Sequence, residues 1–184
     1  MLLRVTVAAA LLALLGCQSK PTPSAEADIV AVPKSLKTFR DKVDTAMVAV
    51  LPYDHERDKY RLKNAQASGL NLEEIGLVDS LLQVCIAEHN RLQSIELRGM
   101  RQARPDIPWD STQFLITLPN YRRQLVPYLN AKGEKEVWVN CFCDKTPYWR
   151  KDIVDVDDGG NCFFNLKINL RRRSWFDLMV NGVA

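Results

Sequence analysis

The sequence predicts an α+β fold in which one long helix packs on an antiparallel β-meander of four to five strands. Three observations carry that expectation. A capped amphipathic stretch follows Asn71, five short β-rich runs follow Tyr121, and turn-forming residues separate those runs.

The chain opens with the three parts of a secretory signal: a charged start at Arg4, an apolar run from Val5 to Leu15, and the small residue Gly16. That run is about eleven residues, short of the ~20 that a helix needs to cross ~30 Å of hydrocarbon. Residues 1–16 are therefore read as a signal peptide and not as a membrane span. The phrase Leu14-Leu15-Gly16-Cys17 resembles the lipobox of bacterial lipoprotein precursors. The resemblance implies cleavage before Cys17, diacylglycerol on its thiol and a further acyl chain, such as palmitate, on the freed amine. At ~0.8 kcal/mol per buried CH₂, an anchor of several chains is effectively permanent. Gln18 stands where retention at the inner membrane usually shows Asp, so the same analogy favours the outer membrane. Residues 17–30 then form a lipidated tether, with two prolines, small polar residues and no long apolar stretch.

Residues 31–184 are expected to form a single α+β domain. Cleavage leaves 168 residues, enough for one substantial core, with 24 basic against 22 acidic side chains. A net charge of +2 argues against nucleic acid as a partner. The membrane, reached through Cys17, is the first partner expected; an envelope protein or small ligand is the second.

Within the domain, Leu36, Phe39 and Val43 fall at helical intervals and suggest a short helix from Ser35 to about Met47. The helix from about Leu72 to Asn90 is the clearest element: Asn71 followed by Glu74 makes a capping box, and Ile75, Val78, Leu82, Cys85, Ile86 and His89 share one stripe. It has room to continue toward Arg98, with Gly99 as a stop and Pro105 and Pro108 enforcing irregular chain beyond. The sheet spans roughly 121–181, in runs 121–129, 135–143, 149–156, 162–170 and 175–181. Asn130 to Gly133 and Asp157 to Gly160 supply hairpin turns, and Arg171 to Arg173 a last tight connection.

Alternation places Val137, Val139, Cys141, Cys143, Cys162, Phe164, Leu166, Ile168, Leu170, Phe176, Leu178 and Val180 on the side that meets the helix. The other side carries Trp138, Phe142, Phe163 and Trp175, which are costly to leave in water. Those four are a candidate binding face, unless residues 29–70 or 100–120 fold over them as a second core layer.

Four cysteines remain in the domain: Cys85, Cys141, Cys143 and Cys162. An oxidising compartment makes disulfides the first expectation, with three complete pairings open. Unpaired core thiols are a second reading, and a soft-metal or thiol site built from Cys141, Cys143 and Cys162 a third. No C-x-x-C redox spacing and no cofactor motif occurs, and no metal ligand set is assigned. Asp54-His55-Glu56 reads as a solvated loop, His89 as a core-edge residue, and Asp155 to Gly160 as a turn, since Leu166 occupies the place where a calcium loop needs Glu. Arginines 91, 98, 101, 104, 122, 123 and 171–173 form a possible patch for anionic headgroups or glycans, diluted by acids.

A long helix followed by a curved meander resembles cystatin-like and NTF2-like domains. The phrases Lys132 to Cys143, Asp158 to Asn169 and Val180 to Ala184 are similar to uncharacterised lipoproteins common in Bacteroidota. That resemblance covers about 70–184 and implies a location and a fold, without catalytic residues. The expected function is thus a membrane-anchored envelope lipoprotein with a binding or structural domain and no catalytic residue. The alternative is a thiol- or metal-handling enzyme.

Overall fold

The computed structural model describes residues 45–182. The signal run, Cys17, the tether and most of the helix expected near 35–47 lie outside the described residues; Thr45–Met47 forms a 3₁₀ turn. The elements that follow are β1 (Val48–Val50), the single turn α1 (His55–Asp58), β2 (Gln66–Ala67) and α2 (Leu72–Ala103). After them come β3 (Arg122–Leu129), β4 (Lys135–Phe142), β5 (Phe163–Asn169) and β6 (Ser174–Val180). Among the described residues, no helix is long and apolar enough to cross a membrane.

Helix α2 starts where its capping residues dictate. The Asn71 side chain accepts the Glu74 N–H, and the Glu74 carboxylate accepts the Asn71 N–H, both at 2.9 Å. These bonds satisfy two of the amide donors that every helix start leaves open. The helix runs 32 residues and passes through Gly99, where open space surrounds the α-carbon. A lone glycine costs a helix only about 1 kcal/mol relative to alanine, too little to end it. The end comes at Arg104, which precedes Pro105 and is pushed out of helical geometry by the proline ring.

Strands β3 to β6 pair antiparallel in sequence order, with hairpins at Asn130–Gly133 and Arg171–Arg173 as expected; Asp157–Gly160 closes no hairpin, because β4 pairs directly with β5. The sheet is nevertheless mixed and six-stranded. β1 lies parallel to β3, and β2 pairs antiparallel with the far end of the same β3 edge. At the Asn130 turn the side-chain oxygen accepts the N–H groups of Lys132 and Glu134, and Gly133 takes φ +72°. Two more expectations fail here. The run 149–156 is not a strand; it is a strap across the sheet, because its backbone groups bond side chains of β3 and β4 instead of a ladder. The second concerns β6, whose register shifts between the partners Asn165 and Lys167. Asp177 sits there at φ +53°, the extra residue of a bulge. A single inserted residue swaps the two faces on one side of it. Leu178 and Val180 face the helix as alternation predicts, but Trp175 also packs toward the helix-side core, while Phe176 pairs across from Lys167 on the other face.

The helix-side core joins Val78, Leu81, Leu82, Cys85 and Ile86 of α2 to Leu125, Val137, Val139, Cys141, Phe164, Leu166 and Ile168 of the sheet. Each such aliphatic side chain contributes about 1.5–3 kcal/mol on burial. The opposite face has its own layer over β3 and β4. Leu51, Leu62 and Ile153 cover Val126, Tyr128 and Trp138, while Ala49, Trp149 and Val154 cover Phe142.

The strap rejoins the sheet through Gly159, at φ +90°, where a β-carbon would lie 2.7 Å from the ring of Phe163. Gly159→Ala therefore meets both a strained backbone and a clash. We expect a loss of about 2–4 kcal/mol from these together, read as a lower urea midpoint with an unchanged slope.

Candidate functional site

The strap and residues 49–62 cover the outer face of β3 and β4 but stop short of β5 and β6. What remains open is a groove with a floor of Asn165, Lys167, Phe176 and Met179 and a wall made by residues 57–63. Three adjoining hollows run along it, of about 350, 390 and 490 Å³. They share Tyr60, Arg61, Lys63, Asn130, Glu136 and Phe176 at their junctions. Volumes of this size are those of small-ligand sites.

The deep end is organised around Glu136, a carboxylate only 7 % exposed. It accepts hydrogen bonds from Tyr128 Oη at 2.7 Å, Asn130 Nδ2 at 2.6 Å and Asn169 Nδ2 at 3.1 Å. β3, β4 and β5 place these groups side by side, since Glu136 is opposite Tyr128 on one flank and Asn169 on the other. Burial, reinforced by the Glu136 carboxylate, pushes the Tyr128 phenol pKa up and keeps it a neutral donor. Beside it, Glu134 accepts from Arg172 and from Asn169, and these partners hold its carboxyl below the usual range.

Cations line the groove unevenly. Arg61 pairs with Asp155 at 2.9 Å and stacks over Trp138 at 4.7 Å, Lys167 pairs with Asp177 at 3.0 Å, and Arg172 pairs with Glu134 at 3.0 Å. Lys63 and Lys132 also line it, and neither has a carboxylate within ion-pairing distance among the described residues. Exposed aromatic rings beside ammonium groups that no acid pairs among the described residues are suited to holding a polar ligand.

The four aromatic residues expected to form one exposed face do not do so. Trp138 and Phe142 are 5 % and 0 % exposed beneath the strap and residues 49–62, Phe163 is half-buried against the same layer, and Trp175 has crossed to the helix side through the bulge. Trp138 and Trp175 touch the groove only at its margins. A second core layer covers Trp138 and Phe142 instead: Ala49, Leu51 and Leu62 supply part of it from within 29–70, as the alternative has it, while the rest comes from Trp149, Ile153 and Val154 of the strap and none from 100–120.

The cysteines divide into two pairs of different character. Cys143 and Cys162 form a disulfide between the end of β4 and the start of β5, closing a separation of 19 residues. Cys85 and Cys141 are free and buried in the helix-side core. Burial, with a smaller contribution from Glu88, pushes the Cys85 thiol up to about 12, and burial raises Cys141 as well. The trio Cys141, Cys143 and Cys162 is thus not a set of three thiolates. Among the described residues no three His, Cys, Asp or Glu side chains are placed to hold a metal ion. In a Cys17→Ser background, folded protein at pH 8 should give no reaction with an aromatic disulfide reagent. Unfolding without reductant should release two thiols. The raised pKa also signs a pH effect: the buried neutral thiols support folding below the ordinary thiol pKa, and that support fades as pH climbs toward 12.

The remaining candidates take structural positions. Asp54 caps α1 by accepting from the Arg57 N–H, His55 hydrogen-bonds Tyr53 at 3.2 Å, and Glu56 pairs with Lys59. His89 is half-buried on α2, and burial lowers its pKa. Asp155 is taken by Arg61. Glu136, Tyr128, Asn169 and Lys63 are not among the residues the sequence singles out, and Asn130 and Phe176 figure there only as a turn residue and a helix-facing residue. A buried-face acid two residues before Trp138 was the available signal, and the bulge concealed Phe176. No protein-family model matches the chain, and no curated protein or solved structure matches it.

Proposed function

We propose that this chain is a bacterial envelope lipoprotein, held at the outer membrane by lipid on Cys17, whose α+β domain binds a ligand in the groove ending at Glu136. The observation that carries the proposal is Leu14-Leu15-Gly16-Cys17 placed directly behind the apolar run. The Cys143–Cys162 disulfide supports it, because such bonds persist outside the reducing cytoplasm. A binding role is supported by the saturation of the site: Glu136 already accepts three hydrogen bonds from neutral donors, an arrangement suited to holding geometry more than to moving protons. As part of the same proposal, the long helix laid on one sheet face is consistent with kinship to cystatin-like and NTF2-like domains.

Cells fed a clickable palmitate analogue should label the wild-type protein and not Cys17→Ala. The variant should also leave the membrane fraction. Labelling that survives the substitution, or a wild-type protein that takes no label, refutes the anchor.

A further inference from the structure

Resting on the proposed binding groove, we infer that its deep end takes an acidic sugar chain, a saccharide bearing carboxylates. The inference comes from which charges are already committed. Arg61, Lys167 and Arg172 each have an acid partner at 3.0 Å or less, whereas Lys63 and Lys132 have none among the described residues. Of the acids lining the deep end, Glu134 is neutralised by Arg172, and both oxygens of Glu136 are occupied by neutral donors. An entering carboxylate therefore finds two unpaired ammonium groups at the rim and no accessible acid left to repel it strongly.

The sugar is indicated by what surrounds those lysines. Phe176 is 37 % exposed and Tyr60 83 % exposed along the groove, rings on which the apolar face of a pyranose can rest. Just outside, the hairpin tip adds Arg171, with a side chain 78 % exposed, and Arg173, held at φ +52°. Nucleic acid would call for a far larger excess of positive charge than a chain of net +3 supplies.

Purified full-length protein in detergent should bind tetragalacturonate by calorimetry, more weakly as salt rises, and should bind maltotetraose at least tenfold more weakly. Lys63→Gln combined with Lys132→Gln should weaken the acidic sugar about tenfold or more, as loss of two charge-assisted contacts requires. Phe176→Ala should weaken both sugars alike. All three positions are exposed or half-exposed, so unchanged melting curves confirm folding. Equal binding of both sugars, with no effect of the lysine pair, overturns the acidic inference and leaves the groove reading standing. Salt-sensitive binding that ignores both Phe176→Ala and the lysine pair would place the anion on the arginine tip, overturning the inference and the groove together. Binding of neither sugar overturns the inference; palmitate labelling still reports on the anchor independently.

Discussion

Replacing Gln124 by leucine is expected to lower the unfolding free energy by about 3–5 kcal/mol, the largest effect of any single polar substitution in the outer layer. Gln124 is fully buried, and its one amide serves the whole strap. Its amide nitrogen, Nε2, donates to the carbonyls of Trp149 at 2.5 Å and Asp152 at 2.7 Å. Its oxygen accepts from the Val154 N–H and from Asn140 Nδ2, both at 3.0 Å. Leucine would fill most of the space and leave these partners buried without a bond, at about 1–3 kcal/mol for each one that water cannot reach. The loss should be local before it is global. Amide exchange across 149–156 should accelerate at denaturant concentrations where α2 remains protected, because three of the four side-chain bonds Gln124 makes are to the strap. Uniform acceleration over the whole sheet would show that strap and sheet unfold as one unit.

The second large effect lies on the other face, at a buried ion pair. Arg123 Nη1 stands 3.4 Å from Asp79 Oδ1, and both side chains are about nine-tenths buried. The pair is loosely made: neither Asp79 Oδ1 nor Arg123 Nε has a hydrogen-bond partner, although Gln83 donates to Asp79 Oδ2 at 2.6 Å. Removing one charge strands the other, so Asp79→Leu alone should cost about 3–5 kcal/mol, and Arg123→Met a similar amount. The double variant should be more stable than either single one, since two desolvated charges vanish together. Urea titrations of the four proteins form a cycle that reads the coupling directly. A double variant with the summed losses of the two singles would mean that the pair does not interact.

Helix and meander were legible because their signals are local. The Asn71–Glu74 box and the stripe from Ile75 to Ile86 state a helix within a few turns, and the Asn130–Gly133 turn states a hairpin within four residues. What escaped depends on partners far along the chain. Nothing near Trp149 marks it as strap in place of strand; that is decided by Gln124 and Asn140, on strands formed elsewhere. Asp79 reads as a solvent-facing acid on the helix wheel, yet Arg123 draws it inward. One positive φ, at Asp177, exchanged Trp175 for Phe176 and with it altered the composition of the groove. β2 is too short to register by alternation, the β-friendly stretch from Ala46 to Leu51 leaves its state open, and both β1 and β2 take strand form because β3 offers them an edge.

The parallel pairing of β1 with β3 has a mechanical meaning. The chain enters at Thr45, beside the start of β3, while the Glu136 end of the groove lies at the opposite end of that strand. If the protein is tethered ahead of Thr45 and loaded through a ligand in the groove, tension runs along the strand axes. The β1–β3 hydrogen bonds, extended by Leu51 N–H to Leu125 O at 2.9 Å, would then be sheared together and not opened one after another. Arg150 rivets the same joint by donating to the carbonyls of Ala46 and Val48. Three residues of strand thus sit where a short splice resists pulling best.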